Sequence, residues 1–382
     1  MGELIDLVIL GSTGSIGIQA LEIVEENPDR FRVVGLASGS KNIQLLAEQA
    51  RKFSVPVVGT TGRRDELISL LGNTHVIDGP LAASEIASIT CGVVLNGITG
   101  SVGLGPTLAA LAVGNKVALA NKESLVAGGD LVMAYGSERI IPVDSEHSAL
   151  YQCFLSGKSS EVNKVILTAS GGPFRERKDF SDITVADALN HPTWAMGPVV
   201  TVNSATLMNK GLEIIEAHYL FNLPYSKISA VIHPQSVVHS MVEFRDGSTI
   251  AQASPPNMKG PIAYAISGAN RIPKATLPVD WSKAHSWDFS PIDSAMFPAI
   301  ELARRCGELG GGLPAILNAA NEVAVDAFLA GKISFMQIIE IVEASVQKLG
   351  GNSPVTIREL SDVSAIENDS RIIANQLVQE HK

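Results

Sequence analysis

The sequence predicts an α/β protein with an N-terminal, doubly wound parallel sheet, a central α+β domain and a small C-terminal helical bundle. Three observations support this fold class. Apolar, β-branched segments alternate with helical stretches up to residue 143, an Asp-Gly turn joins two later alternating strands, and glycines separate four helical segments at the end of the chain. Strand–helix alternation implies a parallel sheet covered by helices. With 382 residues, the chain is long enough for two or three domains.

The first domain is predicted to span residues 1–143. Its strands are short apolar runs without polar alternation, which is typical of strands buried on both faces. The predicted strands are 4–10, 32–37, 55–59, 92–95, 116–120 and 139–143.

The central domain is predicted to span residues 144–271. Residues 164–169 and 231–232 are predicted strands, and Asp246-Gly247 lies between strands 237–244 and 249–253. Such a turn is a strong hairpin signal, so this domain should contain antiparallel strands.

The remainder of the chain is predicted to be a linker and a helical domain. Residues 272–294 are rich in Pro, Trp and Ser without periodicity, which indicates a linker. Glycines end the helices of the last domain, 295–382, as expected of helix stops. The four predicted helices are 295–308, 313–329, 334–349 and 363–379.

Composition excludes several classes of function. The net charge of −10 disfavours nucleic acid as a partner. The sequence has no apolar run near the roughly 20 residues of a bilayer span, and no segment resembling a signal peptide precedes the first strand. The three cysteines, Cys91, Cys153 and Cys306, lack metal-ligand spacing and indicate a reducing compartment. A cytoplasmic protein without a membrane partner is expected.

A glycine turn follows the first strand. Residues 11–17 read Gly-Ser-Thr-Gly-Ser-Ile-Gly and lead into a predicted helix. Glycines allow a tight turn and close approach of a pyrophosphate to the helix N-terminus, so the segment predicts a dinucleotide site. An ordinary strand–turn–helix is the alternative.

The second strand indicates which dinucleotide binds. An NAD enzyme usually ends this strand with Asp or Glu, whereas here it leads into Ser38-Gly39-Ser40-Lys41-Asn42. Hydroxyls, a lysine and free backbone N–H groups suit the 2′-phosphate of NADPH. Alternatively, Lys41 is a solvated surface lysine.

Two carboxylates follow the sixth strand, in Val143-Asp144-Ser145-Glu146. In an extended segment, residues i and i+2 face the same way, so Asp144 and Glu146 would converge. All-oxygen ligands favour Mg²⁺ or Mn²⁺. A helix N-cap explains the pattern equally well.

Two later segments carry candidate substrate residues. Residues 191–198, His-Pro-Thr-Trp-Ala-Met-Gly-Pro, can form neither helix nor strand and suggest a lid over a ligand. In the segment 209–213, a helix would place Lys210 and Glu213 one turn apart on one face. A plain loop and an exposed ion pair are the alternatives.

Together these motifs resemble the 1-deoxy-D-xylulose 5-phosphate reductoisomerase family of the methylerythritol phosphate route to isoprenoids, over essentially the whole chain. The resemblance rests on residues 11–17, Ala-Asn-Lys-Glu-Ser at 120–124, Val-Asp-Ser-Glu-His at 143–147, Ala-Ser-Gly-Gly-Pro-Phe at 169–174, the loop 191–198, Asn-Lys-Gly-Leu-Glu at 209–213 and His-Pro-Gln-Ser at 233–236.

The resemblance implies a Rossmann-like NADP-binding domain, a catalytic domain and specific site residues. Cofactor-binding residues would be Thr13, Gly14, Ser15, Ile16, Gly39, Ser40, Lys41, Asn42, Asn121, Glu123 and Gly197. Metal ligands would be Asp144, Glu146 and Glu213, with Lys122, Glu146 and Glu213 catalytic. Substrate-binding residues would be Lys122, Ser145, Glu146, Ser170, His191, Trp194, Ser204, Asn209, Lys210 and Glu213.

The implied activity is NADPH- and metal-dependent rearrangement and reduction of 1-deoxy-D-xylulose 5-phosphate to 2-C-methyl-D-erythritol 4-phosphate by a homodimer. The metal would be Mg²⁺ or Mn²⁺, with Co²⁺ a further candidate. Two alternatives remain: a metal-independent NADPH dehydrogenase of a small phosphorylated or semialdehyde substrate, and a non-enzymatic NADPH-sensing or scaffold protein.

Overall fold

The computed structural model describes residues 4–350 and 355–380. The chain divides into two structural units. The first contains residues up to Ser124, together with Leu131–Tyr151 and Asn257–Leu277. The second contains Leu125–Asp130, Gln152–Pro256 and the described residues from Pro278 onwards.

The first unit contains a seven-stranded parallel sheet, as expected from the alternation of strands and helices. Its order is β4-β3-β2-β1-β5-β6-β7. All six predicted strands are present, with ends that shift by one or two residues. The strands are Ile5–Leu10 (β1), Phe31–Ser38 (β2), Val57–Thr60 (β3), His75–Asp78 (β4), Val93–Asn96 (β5), Lys116–Leu119 (β6) and Ile140–Pro142 (β7).

The strand β4 was missed by the sequence analysis. It has four residues, and its terminal residues His75 and Asp78 are polar and exposed. Among residues 4–350 and 355–380 it lies at the sheet edge and pairs with one neighbour strand, β3. A short edge strand of this kind lacks the continuous apolar run that identified the others.

The described residues contain fifteen α-helices. In chain order they are Ser15–Glu26 (α1), Ile43–Lys52 (α2), Arg64–Leu71 (α3), Ala82–Ala87 (α4), Leu104–Ala112 (α5), Glu123–Met133 (α6), Ser145–Cys153 (α7), Val185–Leu189 (α8), Pro198–Ala205 (α9), Met208–Phe221 (α10), Lys259–Ile266 (α11), Ala299–Leu309 (α12), Leu313–Leu329 (α13), Phe335–Gly350 (α14) and Leu360–Glu380 (α15).

The core of the first unit is built around the central strand β1. Leu7 and Ile9 are fully buried there, and α11 adds Ile262 and Ile266 to the same cluster. Residues of α11 therefore pack in this unit although they lie in the range predicted for the catalytic domain. The predicted domain boundaries stay a prediction.

The second unit contains a five-stranded mixed sheet in the order β11-β10-β8-β9-β12. The Asp-Gly hairpin is confirmed, because β10 and β11 pair antiparallel on either side of that turn. The pair β8–β9 is parallel. The strands are Val162–Ala169 (β8), Ile228–Ile232 (β9), Val238–Phe244 (β10), Thr249–Ala253 (β11) and Ser290–Pro291 (β12).

The C-terminal helices also lie in the second unit. All four predicted helices are present as α12 to α15, and α13 begins and ends at the predicted residues. Helix α13 packs against α14 and α15. Within the described part of the chain, no helix has the length and apolar composition needed to cross a membrane.

Candidate active site

The glycine turn after β1 is packed too tightly for side chains at two of its positions. Gly11 has φ +75°, and a Cβ built there would lie 2.6 Å from the carbonyl oxygen of Gly97. A Cβ at Gly17, in the first turn of α1, would lie 2.5 Å from the carbonyl oxygen of Gly11. The turn therefore brings the start of α1 close to β1, which is the geometry of a pyrophosphate cradle.

The remaining residues of this turn face outward or link it to β2. Gly14 is the N-cap of α1, and Ser15 begins the helix; both are exposed. The hydroxyl of Thr13 hydrogen-bonds that of Ser38 at the end of β2. The backbone N–H groups at this helix start are suitable donors for an anion. These features fit the expected cofactor.

The loop after β2 has the open, basic character expected of a 2′-phosphate site. A Cβ at Gly39 would meet its nearest atom at 3.9 Å, so the backbone is accessible. Residues Ser40–Asn42 form a single 3₁₀ turn, and Asn42 caps α2 by accepting from the N–H of Leu45 at 3.2 Å. Lys41 lies in this turn and is exposed.

The loop after β5 also belongs to the cofactor edge of the sheet, although it was not predicted from the sequence. Strand order reverses between β1 and β5, and ligands of doubly wound sheets bind where it does. Gly97, in this loop, donates its N–H to Leu10 at 3.0 Å. The detectable signal was a second glycine pair, Gly97 and Gly100, directly after a buried strand.

Asn121, which lies just after β6, holds this loop in place through hydrogen bonds. Its amide group donates to the carbonyl oxygens of Ile98 at 2.7 Å and Gly100 at 2.8 Å, and to Glu123 at 3.0 Å. Only 1% of Asn121 is exposed. Its side chain therefore has a structural role here, and cofactor contact by Asn121 and Glu123 stays a prediction.

Asp144 forms an ion pair with Lys122, within the first unit. Lys122 Nζ lies 2.5 Å from Asp144 Oδ2, and both side chains are largely buried, with 13% and 18% exposed. This pair joins a predicted substrate residue to a predicted metal ligand. Burial strengthens the attraction relative to a surface pair.

Asp144 and Glu146 converge as expected, with a carboxylate oxygen of each within 4.8 Å of the other, but the segment that brings them together is not extended. The strand β7 ends at Pro142, and the carbonyl of Asp144 accepts from the N–H of Ser148 at 2.8 Å. Asp144 is thus an N-cap, and Glu146 lies in the first turn of α7. Glu146 also accepts a hydrogen bond from the Ser145 hydroxyl at 2.5 Å.

A second lysine–carboxylate pair lies in the second unit. Lys210 forms an ion pair with Glu213 one turn later on α10, with 3% and 0% of their side chains exposed. Asn209 donates to the other oxygen of Glu213. The predicted helix is confirmed, and the alternative of an exposed ion pair is wrong because both charges are buried.

Three predicted substrate-binding residues converge in the second unit. His191 Nε2 lies 3.0 Å from the hydroxyl oxygen of Ser170 and 3.1 Å from that of Ser204. Gly172, with φ +63°, allows this approach, because a Cβ there would lie 2.7 Å from the carbonyl oxygen of Ser204. The residues come from the end of β8, the loop before α9 and α9 itself.

The hydrogen bonds of His191 define its protonation. Its Nδ1 accepts from the N–H groups of Thr193 at 3.1 Å and Trp194 at 2.9 Å. Burial, and secondarily the charge of Arg175, lowers the pKa of His191. The ring is therefore neutral with a proton on Nε2, which can donate to an anionic oxygen.

Trp194 packs beside the buried histidine His239. Their ring centroids are 6.2 Å apart. Burial lowers the pKa of His239 to about 4. Residues 191–197 form no helix or strand, and α9 begins at Pro198 with Gly197 as its N-cap. Lid movement over a substrate stays a prediction.

These features define an α/β oxidoreductase of the NADP-binding class. The glycine turn and basic loop provide the dinucleotide site. The buried lysine–carboxylate pairs and the Ser–His–Ser cluster provide groups for an anionic substrate.

Comparison with known families gives a specific assignment. Family models match residues 7–129 (1-deoxy-D-xylulose 5-phosphate reductoisomerase), 140–221 (its C-terminal domain) and 253–373 (DXP reductoisomerase C-terminal domain). The chain belongs to the 1-deoxy-D-xylulose 5-phosphate reductoisomerase family.

Individual relatives agree over nearly the full length. The reductoisomerase of Kitasatospora griseola is 51% identical, with 97% of this chain and 99% of that protein covered. That of Beutenbergia cavernae is 53% identical, with 97% of each covered. The Zymomonas mobilis enzyme in complex with NADPH has a TM-score of 0.92 at 39% identity, covering 99% and 100%. A DOX-P reductoisomerase in complex with NADPH, fosmidomycin and magnesium has a TM-score of 0.91 at 37% identity, with 98% of each chain covered.

Proposed function

We propose that this protein catalyses the NADPH- and divalent-metal-dependent rearrangement and reduction of 1-deoxy-D-xylulose 5-phosphate to 2-C-methyl-D-erythritol 4-phosphate. The observation that carries the proposal is the pairing of lysines with buried carboxylates, Lys122 with Asp144 and Lys210 with Glu213. In a family member with a dinucleotide cradle, this combination provides ligands for a metal and cations for an anionic substrate.

Asp144, Glu146 and Glu213 are the proposed metal ligands. Their oxygens suit a hard cation, Mg²⁺ or Mn²⁺, with Co²⁺ a further candidate. The donor set fits, because Asp144 and Glu146 of the first unit offer carboxylate oxygens within 4.8 Å of each other, close enough to share one ion. When bound, the ion supplies Lewis-acid polarisation of the substrate carbonyl.

Lys122, Ser145 and Glu146 are the proposed contacts of the reacting end of the sugar. Lys122 holds an ammonium group in a largely buried position, where it stabilises developing negative charge on a substrate oxygen. NADPH supplies the hydride that completes the reaction. The carbon skeleton rearranges either by a retroaldol–aldol route or by an alkyl shift.

Ser170, His191 and Ser204 are the proposed cradle of the substrate phosphate. A neutral His191 donates from Nε2, and the two hydroxyls add donors at the same point. Asn209 and Lys210 complete the set on α10, and Trp194 covers the ligand. Phosphate binding positions the distant reacting carbons, so its binding energy contributes to the rate.

The cofactor is proposed to bind along the carboxyl edge of the parallel sheet. The turn after β1 would hold the pyrophosphate, and the loop after β2 would hold the adenosine end. The proposed contacts are Thr13, Gly14, Ser15, Ile16, Gly39, Ser40, Lys41, Asn42, Asn121, Glu123 and Gly197.

Assembly and location are also part of the proposal. The strand β11 is the outer strand of its sheet, and its residue Ile250 is 38% exposed. In the part of the chain that the structure describes, no strand pairs with its outer edge. Such an edge can pair with a second copy, which supports a homodimer. The free thiols of Cys91, Cys153 and Cys306 suit the reducing cytoplasm.

A turnover assay with and without metal tests the proposed function. NADPH oxidation with 1-deoxy-D-xylulose 5-phosphate should stop in excess chelator and return with Mg²⁺ or Mn²⁺, while NADPH still binds the metal-free protein. Chelator-resistant turnover would favour the metal-independent dehydrogenase. NADPH binding without any turnover would favour a sensing or scaffold protein.

The variant Glu213→Gln distinguishes an effect on the metal site from an effect on folding. It should lower kcat by a factor on the order of 10³, since a metal ion contributes several kcal/mol to stabilisation of charge in the transition state. NADPH affinity should be unchanged. Because Lys210 loses its charged partner, the free energy of unfolding is measured in parallel. Full activity in this variant would contradict the site assignment.

A further inference from the structure

Two loops meet at the adenosine end of the proposed cofactor site. Strands β2 and β3 are parallel neighbours, with Ser38 opposite Thr60 at their carboxyl ends. The loop after β2 then contacts the loop after β3, because the N–H of Ser40 donates to the hydroxyl of Thr61 at 3.3 Å. Residues that follow Thr60 therefore lie beside Lys41, on the same edge of the sheet.

Arg63 is the basic residue that the second loop contributes. Its Nη1 donates to the carbonyl oxygen of Ser40 at 3.4 Å, so the guanidinium group lies against the loop that carries Lys41. Glu66 binds the opposite edge of the group, with Nε–Oε2 at 2.8 Å and Nη2–Oε1 at 2.7 Å. Glu66 thus fixes the orientation of the guanidinium, and the Nη1 edge faces Ser40.

We propose that Arg63 is a specificity-determining residue that, together with Lys41, binds the 2′-phosphate of NADPH. A phosphate monoester carries between one and two negative charges near neutral pH, which one exposed lysine offsets only in part. Arginine presents a planar set of donors that matches phosphate geometry, whereas lysine acts as a point charge. The resemblance to the family assigned only residues of the first loop to this end of the cofactor.

Ligand binding tests this inference without turnover. The dissociation constants of NADPH, NADH, 2′,5′-ADP and 5′-AMP are measured for the unmodified protein and for Arg63→Asn. Asparagine is chosen because Arg63 has φ +61°, a conformation that asparagine tolerates. The inference rests on the proposed cofactor: a failure of the unmodified protein to bind NADPH would instead refute the proposed function.

The expected result is selective for the phosphate. Arg63→Asn should raise the dissociation constants of NADPH and 2′,5′-ADP by about fivefold to tenfold. This loss is smaller than that expected for a buried charged hydrogen bond, because Arg63 is exposed and paired with Glu66. The dissociation constants of NADH and 5′-AMP should change by less than about twofold. Lys41→Gln should show the same selectivity, and Arg63→Lys should fall between the original and Arg63→Asn.

The neighbouring Arg64 provides a matched control. It is exposed, like Arg63, and carries the same charge. Arg64→Asn should leave all four dissociation constants within about twofold. Three outcomes overturn the inference: no change in Arg63→Asn, an equal loss for ligands with and without the 2′-phosphate, or an equal effect of Arg64→Asn. Thermal unfolding of each variant shows whether the loop change has altered the fold.

Discussion

The turns after β1 and after β8 both depend on glycine, but for different purposes. After β1, Gly11 and Gly17 bring the start of a helix against its own strand. After β8, Gly171 and Gly172 have positive φ and bring the strand end against the carbonyl of Ser204. The first turn presents mainly backbone N–H groups. The second brings together side chains, one of them ionisable.

This difference predicts how each turn responds to added side-chain volume and to pH. Backbone donors do not titrate, so the first turn should be sensitive to added volume and insensitive to pH. The second turn relies on the neutral ring of His191, and the buried His239 lies beside Trp194 in the same unit, so acid should affect this region. Substitutions in each turn, and of the buried histidine in the second unit, test this difference against matched control variants.

The largest effect is expected from Gly17→Ala. The new methyl group would meet the carbonyl oxygen of Gly11 at 2.5 Å, and neither backbone can move without displacing β1 or α1. Overpacking of this kind should weaken NADPH binding and folding by about 3 kcal/mol in total. Isothermal titration and denaturant unfolding measure the two contributions.

Gly260→Ala is the matched control for that variant. Gly260 lies in α11 of the same unit, and a Cβ there would meet its nearest atom at an ordinary 3.5 Å. Alanine at a helical position should be neutral or stabilise the protein by about 0.5–1 kcal/mol. Equal losses in both variants would mean that the close approach at Gly17 is not the cause.

The sequence predicted the first turn because its contacts are local. Glycine spacing, the strand before it and the helix after it lie within a few residues of one another. The second turn joins Ser170, His191 and Ser204, which are separated by up to 34 positions, and only the family resemblance grouped them. For Asp144 the sequence left an extended strand end and a helix N-cap as equal alternatives, because both have the same sequence pattern, and the structure shows the N-cap.

Acid should destabilise the second unit through His239. Its folded pKa is about 4, against 6.5 for an exposed histidine, so the unfolded state binds the proton first as the pH falls. Stability is therefore complete above pH 6.5 and decreases toward pH 4, by an expected total of about 2–3 kcal/mol. Unfolding experiments across this range should show a smaller loss in His239→Asn.

His75→Asn is the reference for the acid experiment. His75 is exposed in the first unit, at the start of β4. The variant controls for the removal of one imidazole from the chain. If both variants reduce the acid-induced loss of stability equally, or if His239→Asn does not reduce it, the buried neutral histidine is not the source of acid sensitivity.

Gly172→Ala should change substrate binding at the second turn and leave cofactor binding at the first turn unchanged. A side chain at φ +63° is strained, and its Cβ would lie 2.7 Å from the carbonyl oxygen of Ser204. The expected cost is about 2 kcal/mol, seen as a rise in the KM for the phosphorylated substrate. The dissociation constant of NADPH should not change. A loss of NADPH affinity equal to the rise in KM would contradict the separation of the two turns.

The smallest effect is expected from Ser204→Ala, which removes one hydroxyl from the Ser–His–Ser cluster. If that hydroxyl donates to the substrate phosphate, its loss should cost about 1.5 kcal/mol, a charged hydrogen bond at the weak end of the usual range. The KM for the substrate should therefore rise about tenfold, while NADPH affinity is retained. Ser229→Ala is the control, since that hydroxyl donates to the carbonyl oxygen of Val165, at 3.1 Å, within the sheet. If both variants raise the KM equally, the change reflects lost stability; if neither does, phosphate is held by other groups, and His191 then becomes the side chain to replace.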